Sequence, residues 1–214
     1  MQTSRSAAGP SHIAGRTNHL NIHEAEAPLV KGTWVVDPTL KIPEEILKPV
    51  IHPELKTVPW NLCLTLLKGY LDAKILVVNG GEKPVRAVMR FQGTTGCSVH
   101  LDKAKDAFIW AEVNGSGSTV LYLPRSFKGP LFSNHPRFTG KLIFSAGVEE
   151  NLTVFSEKSF SASGDSQYFI GKLEGTGYTK WQTWDGDNLI ARTDKESTMT
   201  IMYEDELVEE PARS

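Results

Sequence analysis

With two cysteines in 214 residues, the chain has no basis for a disulfide framework. Cys63 and Cys97 read as small buried apolar side chains in strands, although on neighbouring units they could pair. Long apolar runs are missing too, so no segment is long enough to span a bilayer. The opening stretch MQTSRSAAGPSHIAGRTNHLNIHEAEA lacks the continuous apolar core of a secretory signal, which places the chain, as an expectation, in the cytoplasm. Asn114-Gly-Ser116 and Asn151-Leu-Thr153 match the glycosylation acceptor pattern, which has meaning only on a secretory route. Nor is there an excess of one charge sign: 23 Lys and Arg stand against 25 Asp and Glu. These charges are scattered, whereas nucleic-acid binding needs a clustered basic stripe.

The sequence has turns and alternation in their place. From Ala107 to Pro130, Ile109, Ala111 and Val113 alternate with Trp110 and Glu112, then meet Asn114 and Gly115. A second β-rich run, Thr119 to Leu123, follows and stops at Pro124, which has no N–H for a ladder. Asn-Gly suits a tight type I′ turn with positive φ, so the unit predicts strand, turn, strand. The same pattern recurs. Leu62, Leu64 and Leu66 turn at Lys68 and Gly69 into Leu71, Ala73 and Ile75. Val85, Ala87, Met89 and Phe91 turn at Gln92 to Gly96 into Cys97, Val99 and Leu101, with Ser98, His100 and Asp102 facing outward. A weaker copy runs from Leu131 and Phe132 through Thr139 and Gly140 to Leu142 and Phe144. A degenerate copy spans Leu152 to Ile170 and turns at Ser163 and Gly164. Leu189 and Ala191 lead through Asp194 to Ser197 into Met199, Ile201 and Tyr203. Taking Gly69, Gly96, Gly117, Gly140, Gly164 and Ser197 as markers, the unit repeats about every two dozen residues. An ordinary all-β domain with turns every ~8–12 residues gives much the same spacing. Either way the expectation is an all-β fold of stacked short strands, β-solenoid-like or a rolled β-sandwich, with little helix.

No composition shift divides the interior, so residues 30–206 are expected to form one domain. Residues 1–29 bury too little to repay ordering and read as a flexible tail, and 207–214 as an acidic one. His12, His19 and His23 lack the further ligands a metal site needs, and no cofactor is expected. Pro43, Pro49, Pro53 and Pro59 forbid a long helix and imply an extended strap across a sheet edge or face.

The segment YFIGKLEGTGYTKWQTWDGDNL concentrates aromatics among glycines. Trp110, Tyr178, Trp181, Trp184, Asp185 and Asp187 are the candidate ligand or partner surface, because aromatic clusters with polar handles favour interfaces. The same rings could instead plug the open end of a stack. GKLEGTG lacks the Lys-Ser or Lys-Thr and the strand-to-helix context of a phosphate loop. Asp185, Asp187 and Glu174 could supply a glycosidase-like carboxylate pair, with the separation of the two carboxyls deciding. Ser, His and Asp occur without a nucleophile motif: His100 lies on the polar face of a strand and His135 precedes Pro136 in a turn.

LPRSFKGPL (Leu123 to Leu131), NGSG (Asn114 to Gly117), GTWVVDP (Gly32 to Pro38) and WDGDNLIARTDKESTMTIMYEDE (Trp184 to Glu206) resemble a domain family of mushroom-forming fungi. That family repeats S-N-G-S followed by an apolar strand, and is distantly similar to the β-solenoid repeats of bacterial putative adhesins. The resemblance covers roughly residues 30 to 206. LPRSF-x-GPL is its most specific run, and QGTTG and DKEST replace NGS at other turns. It implies a repeat-built β fold and assigns no catalytic residues. The leading functional reading is therefore a non-catalytic interaction or scaffold module for an unknown protein or small ligand. The alternatives are a small-ligand protein or enzymatic accessory of a fungal specialised pathway, and a surface adhesin, which would need an export signal.

Overall fold

The computed structural model describes residues 11–43, 60–134, 140–156, 165–194 and 196–206. In chain order the strands begin with β1 (Ser11–Thr17), β2 (Leu20–Glu24), β3 (Leu29–Val36), β4 (Leu62–Leu66) and β5 (Tyr70–Val77). They continue with β6 (Val85–Gly93), β7 (Gly96–Lys103), β8 (Ala107–Gly115), β9 (Ser118–Leu123) and β10 (Gly129–Asn134). After β11 (Lys141–Phe144) come a one-turn helix α1 (Ala146–Glu149), β12 (Leu152–Ser156), β13 (Asp165–Ile170), β14 (Asn188–Thr193) and β15 (Thr198–Tyr203).

Strands in these units are not paired as hairpins. From β1 to β12 the chain passes alternately between two sheets, one ordered β1-β3-β5-β7-β9-β15-β11 and the other β12-β13-β10-β14-β8-β6-β4-β2, and it then stays in the second through β13 and β14 before crossing to β15. Neighbours within each sheet run parallel, except that β13 pairs antiparallel with both β10 and β12. The result is an all-β arrangement of two stacked sheets of short strands.

The alternation read from sequence explains why the coils stack. Inward residues meet their counterparts one strand over, as in the rows Leu62, Met89, Ala111, Leu189, Leu131 and Ala73, Val99, Leu121, Ile201. All of these are buried in one core between the sheets. Burying each large aliphatic side chain is worth roughly 1.5–3 kcal/mol, and a slip of one residue would turn every one of them to solvent. Cys63 and Cys97 are both free and buried, Cys97 in this core and Cys63 in a second cluster on the far side of the other sheet. The pairing alternative is therefore excluded.

The expected type I′ hairpin at Asn114 and Gly115 is a correction. β8 ends there on one sheet and β9 begins on the other, so the turn is a corner, and the positive φ falls on Gly117 (77°). Gly69, Gly96, Gly117, Gly140 and Ser197 all mark such corners between the sheets. At the last coil Glu196 takes the left-handed conformation (φ 69°) that glycine usually supplies. Only the degenerate unit is a hairpin, β12 against β13, and its proposed turn at Ser163 and Gly164 lies outside the described residues. So do the proline strap from 44 to 59, His135 and the acidic end from 207. Of the stretch expected to be a flexible tail, residues 1–10 lie outside the described residues, while β1 pairs with β3 and β2 with β4 in parallel register. Short strands of ordinary composition gain order here by extending sheets that already exist.

At the last coil the spatial order departs from chain order. β14 lies between β8 and β10, and β15 between β9 and β11, so the last coil in sequence fills a gap left earlier. The gap is made by the run LPRSFKGPL, which carries the chain from β9 to β10, two strand positions beyond β8, a step of about 10 Å. Phe127, fully buried, anchors that step in the core.

Candidate functional site

The six residues singled out by sequence fall in three places. Trp110 is buried on the outer face of the β8 sheet, with its ring centroid 5.6 Å from that of Trp60, in a cluster with Cys63, Val88 and Ile190. Beside it Glu112, fully buried, accepts hydrogen bonds from Arg192 and from Asn114 Nδ2 (3.0 Å), with Arg90 at 3.8 Å. Tyr178 and Trp184 fold over the same face farther along, against the fully buried Phe169, with ring centroids 5.2 and 5.9 Å from it. Trp181 is more exposed, at 38%, and meets Phe132 edge-on. Among the described residues the aromatic insertion therefore lies over a sheet face and borders an open groove.

Asp187 is a structural anchor. Its carboxylate pairs with Lys103 Nζ at 2.6 Å and accepts from the backbone N–H of Ile109 (2.9 Å) and of Lys128 (2.8 Å). Both side chains of the pair are almost fully buried. Burial pushes the Asp187 carboxyl up, and the Lys103 charge and the three hydrogen bonds act against that shift. With its oxygens engaged, Asp187 is not available as a glycosidase acid. The pin joins the end of β7, the first residues of β8, the LPRSFKGPL bridge and the residue just before β14. It thus holds the inserted coil in its gap. Gly129 is needed at the same place, since a Cβ there would strike the Asp187 carbonyl. Asp185, fully exposed, lies 3.7 Å from Arg86. Between Lys105, Phe108, Lys128, Glu174, Trp184 and Asp185 runs an open groove of about 750 Å³.

The other sheet presents a different surface. Along the outer face of β3, β5, β7, β9 and β15 run two in-register rows, Lys31, Asp72, Ser98, Val120, Thr200 and Thr33, Lys74, His100, Tyr122, Met202. Lys31 and Asp72 pair at 2.6 Å, and Lys31 is pushed up by that hydrogen bond and by the charge of Asp72. His100 is at the centre. Its Nδ1 lies 2.9 Å from Glu204 Oε2, its Nε2 lies 3.3 Å from Ser98 Oγ, and its ring stacks on Tyr122 at 4.0 Å with 16° between planes. Burial pushes the Tyr70 phenol up, as does the charge of Asp72, while the neighbouring Ser98 hydroxyl acts in the opposite direction. Burial, with Glu204 and Asp72, pushes Tyr122 up as well. A depression of about 510 Å³ lies beside the ring, between Lys74, Asp102, Arg125 and Asp205.

Sequence reading put Ser98 and His100 on the outward face and found no motif around them. The spacing of two on one strand was the available signal, because it puts both side chains on one face. Glu204 is 104 residues away from His100, and only the inserted last coil brings it there. Among the described residues, no group of three or more His, Cys, Asp or Glu is placed to hold a metal ion, and no helix is long and apolar enough to cross a membrane. No curated protein and no solved structure matches the chain. Residues 18–206 match one family model, a span that takes in every coil from β2 to β15, and the chain belongs to that family, the domain of unknown function DUF7330.

Proposed function

We propose that this protein is a recognition scaffold, and that its binding surface is the outer face of the sheet carrying β5, β7 and β9. The observation that carries this reading is the contrast between the two sheets. The β8 sheet has Trp60, Trp110 and Glu112 buried on its outer face, whereas along the other sheet Lys31, Thr33, Lys74 and Asp102 are exposed and Asp72, Ser98, His100 and Tyr122 are half-buried. Strands in a parallel stack repeat at ~4.8 Å, so side chains in register make a regular array of donors, acceptors and rings. Rings flanked by charges of both signs suit a protein partner, where Tyr and Arg supply most of the binding energy.

Lys74→Glu and Tyr122→Ala are the informative substitutions. Pull-down from native extract should lose a partner with either of them and keep it with Trp181→Ala, which alters only the covered sheet. Retention of every partner by both face variants would remove this surface from the reading. A small-ligand reading is favoured by the open groove beside Trp184, where lysines and carboxylates face one another around aromatic walls.

A further inference from the structure

We propose that Ser98 is a catalytic nucleophile, with His100 as its base and Glu204 as the positioning residue of that base, and that the site cleaves short-chain acyl esters. This goes beyond recognition and does not depend on the identity of any partner. Nucleophilic catalysis by serine needs a hydroxyl within reach of an imidazole nitrogen, and a third group that fixes the imidazole tautomer. All three contacts are present on this face. Glu204 accepts at 2.9 Å from Nδ1, which sets Nδ1 as the protonated nitrogen and leaves Nε2 free to take the Ser98 proton across 3.3 Å. Stacking on Tyr122 holds the ring in that plane.

Ser98 sits between His100 on its own strand and Asp72 and Tyr70 on β5. The exposed Lys74 lies in register with His100 on the neighbouring strand, roughly 5 Å away between backbones, and Tyr70 stands on that same strand. A phenol and an ammonium are both able to stabilise the oxyanion that forms beside an attacked carbonyl. The backbone amides of this strand are committed to the ladder, so the donors here are side chains. Among the described residues the face carries an open depression beside the His100 ring rather than a tunnel, which favours a short acyl group on an accessible alcohol.

The step balances without any added reagent. Ser98 Oγ bonds to the ester carbonyl carbon and gives its proton to His100 Nε2. The bond from that carbon to the alcohol oxygen breaks, and the alcohol leaves with the proton from His100. Water then attacks the acyl-serine, its proton passes to His100, and the Ser98 oxygen leaves and recovers a proton from the imidazolium as the carboxylic acid departs. Charged and titratable groups facing His100 are Glu204, Lys74, Asp72, Tyr122 and, beside Glu204, Arg125.

The test uses the full chain with two probes: a fluorophosphonate, whose site of attachment is located by mass spectrometry, and p-nitrophenyl acetate. The expected result is a label on Ser98 together with turnover of the ester. Ser98→Ala abolishes both, and His100→Gln abolishes labelling while leaving a folded protein. Glu204→Gln lowers kcat about tenfold or more and displaces the pH profile, which a merely structural role would not do. Ser118→Ala, another serine on β9, leaves both readouts unchanged. A wild-type protein that carries no label on Ser98, or a Ser98→Ala variant that turns over the ester at the wild-type rate, overturns the proposal.

Discussion

Asp187 shows how a residue with the look of an active-site acid is used for folding. A carboxylate in a turn among tryptophans suits a sugar site equally well until its partners are known. Here the partners are an almost fully buried ammonium and two backbone amides, one in β8 and one in the LPRSFKGPL bridge. An ion pair taken out of water gains little as a pair, but breaking it strands the other charge. Asp187→Asn should therefore destabilise the protein by about 3–5 kcal/mol, read as a loss of denaturation midpoint. A midpoint within experimental error of wild type would show that Lys103 finds water or another acceptor. Asp185→Asn, at a fully exposed side chain, serves as the neutral comparison.

At the scale of the element, the corners between sheets decide whether the strands can stack. Gly115 and Gly117 sit two residues apart in one corner and are needed for different reasons. A Cβ on Gly117 is opposed by the backbone, because φ is 77°, and by the Thr95 carbonyl at 2.7 Å. A Cβ on Gly115 would run into the side chain of Thr119, whose Cβ and Cγ2 would lie 2.8 and 3.1 Å from it. Gly115→Val should cost about 1–3 kcal/mol through overpacking. Thr119→Ala in the same chain should recover part of that loss and leave the cost of Gly117→Ala unchanged. Thermal melting of the two double variants separates the causes: equal recovery in both, or none in Gly115→Val, would mean that the corner is misassigned.

For the whole molecule, the last coil is the closing piece. It enters between two coils laid down earlier and is held at one end by Asp187 and at the other by Glu206. Burial raises the Glu206 carboxyl, but bonds from the Ser145 hydroxyl and the Tyr203 and Gly147 amides, with the Arg125 charge, outweigh that and hold it below the usual carboxylate range. Asp37 at the end of β3 is likewise lowered, since bonds from Thr39 and Gly80 and the charge of Arg16 outweigh its burial. A lowered carboxylate stabilises the fold above its unfolded pKa, and that contribution is lost as pH falls through the folded value. The two lowered groups predict a melting temperature that falls between about pH 5 and about pH 3. Glu206→Gln should lower the neutral melting temperature and flatten this acid limb; an identical slope in the variant would remove Glu206 as its cause.

What the sequence determined by itself is the strand content and the side each residue faces. Ile109, Ala111 and Val113 point to the core and Trp110 and Glu112 away from it, because alternation at a period of two is a local property of the extended chain. The marker glycines located the corners for the same local reason. Which strands pair was not written locally: Asn114-Gly115 suits a hairpin turn and a corner alike, and only parallel neighbours on both sheets choose the corner. The most specific motif, LPRSFKGPL, acquired its meaning only once β14 was found to fill the gap it leaves. Ser98, His100 and Glu204 meet for that reason as well, since a contact across 104 residues depends on the order in which coils stack, and that order is set by packing rather than by any neighbouring residue.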